Sequence, residues 1–233
     1  MNGLFDLGPE GWEAVALSLR VSLVATLASL PFGILVAYVL ARKEFYGRSV
    51  LNALVHLPLV LPPVVTGYIL LVLFGKQGYL GGALDLLGIS LAFRWTGAAL
   101  AASIMAFPLM VRAIRLAIEA VDQGLEEAAA TLGASPFKVF WTVTLPLCFP
   151  GILAGSVLAF AKAMGEFGAT ITFVSNIPGE TRTIPSAIYT FLQVPGGETS
   201  VVKLVVFSII LAFGALAVSE IMARRAKLRV GGA

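Results

Sequence analysis

Five stretches of this chain stay apolar for the ~20 residues needed to cross the hydrocarbon core of a bilayer. They lie at about 15–40, 51–74, 95–118, 152–173 and 201–222 and leave little room for anything else. Composition points the same way: 58% of the residues are hydrophobic and 12% charged, with mean hydropathy +0.94, where a soluble domain carries roughly a quarter charged residues. The expected fold class is therefore all-α and integral to a membrane, one unit over residues 1–233 with no internal repeat and no linker to a second domain. A single cysteine, Cys148, and a single histidine, His56, exclude a disulfide framework and a metal site built from several such ligands. Cys148 reads as a small apolar filler at the foot of a span. No basic residue precedes Arg20, so the start of the chain does not read as a cleaved leader.

Five spans place the two termini on opposite sides, and basic residues decide which is which, because lysine and arginine are retained on the cytoplasmic face. With the C-terminus inside, the inner connections hold Arg42, Lys43, Arg48, Arg112, Arg115, Lys138, Arg224, Arg225, Lys227 and Arg229. The outer ones hold Lys76, Arg94, Arg182 and Lys203. The bias predicts an outer N-terminus and a cytoplasmic C-terminus. Trp12 and Trp95 then begin spans at the outer interface and Trp141 sits at the inner one, where amphipathic rings prefer to lie. The net charge of +3 argues nothing about nucleic acid, because the basic residues are distributed by membrane side; membrane lipid is an expected neighbour and nucleic acid is not.

The longest stretch outside the spans is the connection 119–146. Leu125, Ala128, Ala129 and Leu132 fall at i, i+3, i+4 and i+7, which predicts a short helix with one apolar face and Glu126 and Glu127 beside it. Gly133 stops that helix. Ser135 and Pro136 restart one, the serine as cap and the proline at the first helical position, where its missing N–H removes a donor that would be unpaired anyway. Phe137, Phe140, Trp141 and Thr144 share a face of the second helix, and Leu145-Pro146 is expected to close the unit. On pattern alone this is either a solvated connector or a docking element.

Two further stretches interrupt the apolar pattern. Pro58, Pro62 and Pro63 cannot all sit in an undisturbed helix, and carbonyls freed at membrane depth need protein or water to cover them. The second span is therefore expected to face the interior of the subunit, either as a kinked packing helix or as pathway lining with Thr66. Pro108 is a candidate kink in the third span. Residues 165–185 are rich in glycine, hydroxyls and proline, with Thr170, Thr172 and Arg182 among them, and 186–194 is apolar but too short to cross, so it reads as an outer-surface or re-entrant helix. Lys162 and Glu166 stand four apart, close enough on a helix to pair. Charges at membrane depth are functional candidates by default, against the plainer reading of a structural ion pair.

Some chemistry is absent. There is no GxxxxGK phosphate loop followed by serine or threonine; Gly75-Lys76 is followed by Gln77. HExxH and GxSxG are missing too. An intramembrane enzyme using His56, Lys162 and Glu166 as acid–base groups would need them at one depth, and their positions along the spans oppose it. A passive channel would make no use of a docking loop.

The residues of the connection carry a resemblance. Glu127-Ala128-Ala129, three residues, Gly133, nine residues and then Val143-Thr144-Leu145-Pro146 is similar to the EAA loop of membrane subunits of binding-protein-dependent ABC importers, with Val143 where that family has isoleucine. Residues 56–65, 107–115 and 165–185 extend the likeness, over nearly the whole chain, to the molybdate importer permeases. The resemblance implies five transmembrane helices of the ABC importer permease type in a bacterial inner membrane. Glu126, Glu127, Ala128, Ala129, Gly133, Ser135 and Pro136 would couple to an ATP-binding subunit. It further implies two such subunits, a second copy of this chain, and a periplasmic molybdate-binding protein, with ATP and Mg on the partner and no cofactor in this chain. Pathway candidates are Pro62, Pro63, Thr66, Lys162, Glu166, Thr170, Thr172 and Arg182. Molybdate and tungstate are the implied cargo, and a sulfate or thiosulfate permease is the alternative within the class.

Overall fold

The computed structural model describes residues 6–230, with side chains at 218–220 and 222–230 outside the description, so Arg224, Arg225, Lys227 and Arg229 of the charge argument lie outside the described side chains. Every regular element among the described residues is helical.

At the centre is α5 (Trp95–Glu119), packed between α1 (Gly8–Arg42) and α8 (Leu145–Met164). The reason lies in small side chains. In lipid there is no hydrophobic force between helices, so association depends on close approach. Along α1 the buried positions include Ala14, Ser18, Ser22, Ala25, Thr26, Ser29, Gly33 and Ala37, with Val15, Val21 and Leu40 among them; along α5 they include Ala98, Ala101, Ala102, Ala106 and Met110. A Cβ on Gly33 would stand 2.7 Å from the Met110 sulfur, so the glycine is what admits that side chain. The buried hydroxyls of Ser22, Thr26 and Ser29 spend their protons on the preceding turn, as Ser22 does on the Ser18 carbonyl at 2.7 Å. Gly151 and Gly155 of α8 let it approach α5 in the same way.

Four helices are long and apolar enough to cross a membrane alone, and the number reaches five when one bent pair counts as a span. That pair is the expected second span. It is split into α2 (Arg48–Val60) and α3 (Pro63–Phe74), which turn by 111° at Leu61-Pro62. The expectation that it faces the subunit interior is not met. Only Val55 of α2 and Thr66, Gly67 and Leu70 of α3 are buried, while Leu54, Leu57, Val60, Val64 and Tyr68 are exposed. Past the corner α3 starts as an ordinary helix, the N–H groups of Val65 and Thr66 donating to the Pro62 carbonyl at 2.9 and 3.3 Å; the carbonyls that Pro62 and Pro63 deprive of donors are those of Pro58 and Leu59, at the little-buried end of α2.

The fourth span also differs. Instead of running over 152–173, the helix starts at Pro136 and ends at Met164. Leu145-Pro146 does not close the preceding unit. Helix α7 (Pro136–Val139) passes through a π-helical turn, Phe140–Thr144, directly into α8. The N–H of Leu145 reaches back to the Phe140 carbonyl, five residues away, and this wider turn takes up the misfit that Pro146 would otherwise impose. Past Met164 the chain breaks at Gly165 and re-forms as α9 (Gly168–Val174), which lies against α3 where Gly67 meets Ala169. Between α3 and α5 stands the short α4 (Gly81–Asp85).

The apolar 186–194 segment is folded as α10 (Ile184–Phe191), packed on α1 and on α11 (Glu198–Val230). Its first N–H, on Ile184, is satisfied by the Ser18 hydroxyl of α1 at 2.7 Å. The bundle thus has two distinct ends. One gathers the starts of α1, α5 and α10, tied by Arg182–Glu10 at 2.9 Å and Arg94–Glu180 at 3.5 Å. The other gathers the ends of α1 and α5 and the connection to α8.

Candidate functional site

At that second end the connection forms an elbow. Helix α6 (Gln123–Thr131) begins at Asp122, whose Oδ1 accepts the Gly124 N–H at 2.8 Å. It ends at Gly133, with φ of +85°, a backbone state that costs an L side chain roughly 1–2 kcal/mol. The Ser135 hydroxyl accepts the Lys138 N–H at 3.4 Å and Pro136 opens α7. The sequence-derived stop at Gly133 and restart at Ser135-Pro136 coincide with these residues, and the Asp122 cap is added by the structure.

The two faces of α6 have opposite surroundings. None of its residues is fully buried. Leu125 is 50% exposed and Leu132 89%, and Phe137 on the next helix is 74% exposed, so the apolar stripe points away from the bundle. Ala128 and Glu127 are exposed beside it, while Ala129 is half-buried. What turns inward is Glu126. Its Oε2 lies 3.0 Å from Arg42 Nε, its Oε1 accepts from Arg42 Nη2 at 3.3 Å, and the same Oε1 accepts the Thr144 hydroxyl at 2.6 Å. Arg42 Nη2 also donates to the Val121 carbonyl at 2.9 Å. The Arg42 and Glu126 side chains are 8% and 17% exposed and Thr144 is buried. One carboxylate therefore ties together the end of α1, the elbow and the root of α8. Charge-assisted hydrogen bonds of this kind are about twice as strong as neutral ones.

The structure places the pathway candidates apart from the elbow. Lys162 Nζ pairs with Glu166 Oε2 at 2.9 Å, and Glu166 Oε1 accepts the Ala169 N–H at 3.0 Å, capping α9. Thr170 and Thr172 donate to the carbonyls of Phe167 and Gly168 at 2.9 Å each. Arg182 is held by Glu10 and, at 3.3 Å, by Asn176 Oδ1. Pro62 and Pro63 form the α2–α3 corner. Thr66 is different: its hydroxyl is buried and finds no partner among the described residues.

The elbow thus presents an uncovered apolar stripe on one side and is fastened to its own bundle through the half-buried Glu126 carboxylate on the other. Comparison with known sequences bears on what chain this is. Residues 29–228 match the model of the family described as binding-protein-dependent transport system inner membrane component. The chain belongs to this family. Among curated relatives of this inner membrane component, the molybdenum transport system permease protein ModB of Escherichia coli K12 is 60% identical over 224 residues, covering 96% of this chain and 97% of that protein. The Haemophilus influenzae protein of the same name is 54% identical over 220 residues, 94% and 96% of the two chains. A probable sulfate transport system permease protein of Chlorokybus atmophyticus is 37% identical over 185 residues, 79% of this chain and 65% of that one. Among solved structures, a bacterial ABC transporter that imports the acidic polysaccharide alginate aligns with a TM-score of 0.73 at 19% identity, covering 94% of this chain and 80% of that one. The MetNI methionine ABC transporter in an inward-facing form aligns at 0.69 and 18%, covering 93% and 94%. These two likenesses concern the fold of the inner membrane component.

Sequence reasoning found the elbow of this inner membrane component but missed its fastening. Arg42 and Thr144 lie 84 and 18 residues from Glu126, and no local period links them. The available hint was that an arginine ending a span needs a carboxylate nearby if it is not to face water.

Proposed function

We propose that this chain is the membrane-spanning subunit of an ATP-driven importer of molybdate and tungstate. The observation that carries the reading is the elbow. Its outer face, Leu125, Ala128, Leu132 and Phe137, offers apolar surface and small residues to a cleft on an ATP-binding subunit. Its inner face passes force through Glu126 to α1 and α8. Glu127, Ala129, Gly133, Ser135 and Pro136 complete the docking element, which lies in the cytoplasm with the C-terminus, while the N-terminus lies outside. The bent α2–α3 pair completes a set of five spans in a bacterial inner membrane. Two copies of this chain, two ATP-binding subunits that hold ATP and Mg, and a periplasmic oxyanion-binding protein form the working assembly; this chain holds no cofactor.

ATP binding closes the two partner subunits and draws the elbows together. The bundle is then biased between two arrangements by the partner's differential affinity for them, which is the requirement any such switch must meet. The cargo assignment draws on relatives at 60% and 54% identity named for molybdenum transport, against 37% for the sulfate protein. Uptake of labelled molybdate into vesicles carrying the complete assembly tests it, with tungstate and sulfate as competitors. Tungstate should compete and sulfate should not; equal inhibition by sulfate at matched concentration overturns the molybdate reading. Glu127→Lys, on the exposed face, should leave the protein inserted while abolishing the ATPase stimulation by loaded binding protein. Unchanged stimulation would defeat the docking role.

A further inference from the structure

At the elbow end of the bundle, α2 and α5 enclose a polar recess of about 250 Å³ that none of the pathway candidates lines; its walls include Asn52, His56, Arg112, Arg115 and Glu119. The spacing explains the clustering. Positions 112, 115 and 119 form one stripe on α5, positions 52 and 56 form one on α2, and residues three or four apart on a helix are neighbours. Arg115 is held in place from both helices: its Nη1 donates to Asn52 Oδ1 at 3.1 Å and its Nε to Glu119 Oε1 at 2.7 Å. His56 Nδ1 is 2.8 Å from the Asn52 carbonyl, and since that oxygen can only accept, the ring nitrogen donates. Arg112 is exposed on the recess and has neither an ion pair nor a hydrogen bond among the described residues.

Formal charges leave an excess. Glu119 offsets Arg115, and the Arg112 guanidinium is uncompensated. Arg115 has five N–H groups and uses two, and the Asn52 amide nitrogen keeps its two, since only its oxygen is engaged. Fixed donors around one surplus positive charge are what a tetrahedral oxyanion requires, because planar guanidinium forks match pairs of anionic oxygens. The lining is also far more polar than the wide grooves beside α1, which are walled by leucine, isoleucine and aromatic side chains.

We propose that this recess is a transient site for the oxyanion cargo, a molybdate or tungstate dianion held by Arg112, the free N–H groups of Arg115 and the Asn52 amide before release at the elbow end. The proposal rests on the importer reading above and adds where the cargo touches this chain. The site is weak by construction, with one net positive charge facing two negative ones and the Glu119 carboxylate nearby. Conduction needs sites that ions can leave.

The test uses the complete assembly in vesicles and the variants Arg112→Gln and Arg112→Lys. Arg112→Gln should slow molybdate uptake at least ~5-fold, the order expected for losing one charge-assisted contact, while ATPase stimulation by loaded binding protein stays within ~2-fold. Arg112→Lys should keep most of the uptake. A merely structural arginine would lose both readouts or neither, and either result overturns the site. If the wild-type assembly fails to accumulate molybdate at all, the importer reading falls and takes the site with it; wild-type uptake by Arg112→Gln removes the site alone. A second measurement separates a free oxyanion from a lipid phosphate. Cys148 is buried, so Leu116→Cys, at an exposed lining position that is not one of the anion's ligands, supplies a distinct thiol at the recess. Millimolar tungstate should slow its reaction with an anionic thiol reagent, and leave a neutral reagent unaffected, in membranes of neutral lipid. Slowing that appears only with anionic lipid, and not with tungstate, assigns the recess to headgroups and overturns the proposal.

Discussion

Two glutamates stand at two breaks in the helical bundle, and their partners differ in kind. Glu166, 2% exposed, closes a local circuit: Lys162 four residues before it and the Ala169 N–H three residues after it. Its work is finished within one turn on either side of Gly165. Glu126 reaches Arg42 and Thr144, which are 84 and 18 residues away and lie on two other elements of the bundle. The first carboxylate caps a helix; the second couples an exposed element to the spans. A charge buried near a membrane is therefore not informative by depth alone. What distinguishes a strut from a cap is the sequence separation of its partners.

That contrast can be broken, and the largest effect is expected at Glu126. Glu126→Ala strands the Arg42 guanidinium in a site only 8% open to solvent and costs about 3 kcal/mol, the lower end of what breaking a buried pair costs. The thermal midpoint of the detergent-purified assembly should fall and coupled uptake should be lost. The exchange of Arg42→Glu with Glu126→Arg should recover part of both. If Glu126→Ala leaves midpoint and uptake unchanged, the strut does not exist.

A smaller change sharpens the role of the elbow's angle. Gly133→Val places a β-branched side chain at φ +85°, in open space but in a strained backbone state costing about 1–2 kcal/mol. Uptake per ATP hydrolysed should drop further than the thermal midpoint does. Equal proportional losses would mean that the glycine serves stability only.

The smallest effect on transport is expected at the local pair. Lys162→Met leaves the Glu166 carboxylate, 2% exposed, with only the Ala169 N–H, so the thermal midpoint should fall while molybdate uptake per folded assembly stays near wild type. A large transport defect with normal stability would move Lys162 from the cap to the pathway and erase the distinction between the two glutamates.

Several features were legible in residue order because their causes are local. The stop and restart of the elbow, Gly133 after one helix, Ser135 before the next and Pro136 at its first turn, act within four residues, and pattern reading reaches that far. The three prolines likewise announced a broken second span. Reading failed where a local signal had two tertiary outcomes. Proline-freed carbonyls called for an interior position, yet α2–α3 lies exposed along most of its length. Leu145-Pro146 looked like a stop, yet the π turn ahead of it carried the helix on into α8.

By itself the order of residues determined that the chain is a bundle of bilayer-length helices with an elbow between two of them, because hydropathy, capping and proline chemistry are properties of neighbours. Only the tertiary structure decided which of two adjacent glutamates faces inward, which small residues of α1 and α5 touch, and that Arg112 has no ion pair or hydrogen bond among the described residues. Each of those outcomes depends on groups tens of residues apart meeting at a distance of about 3 Å, the range over which a hydrogen bond is made or lost.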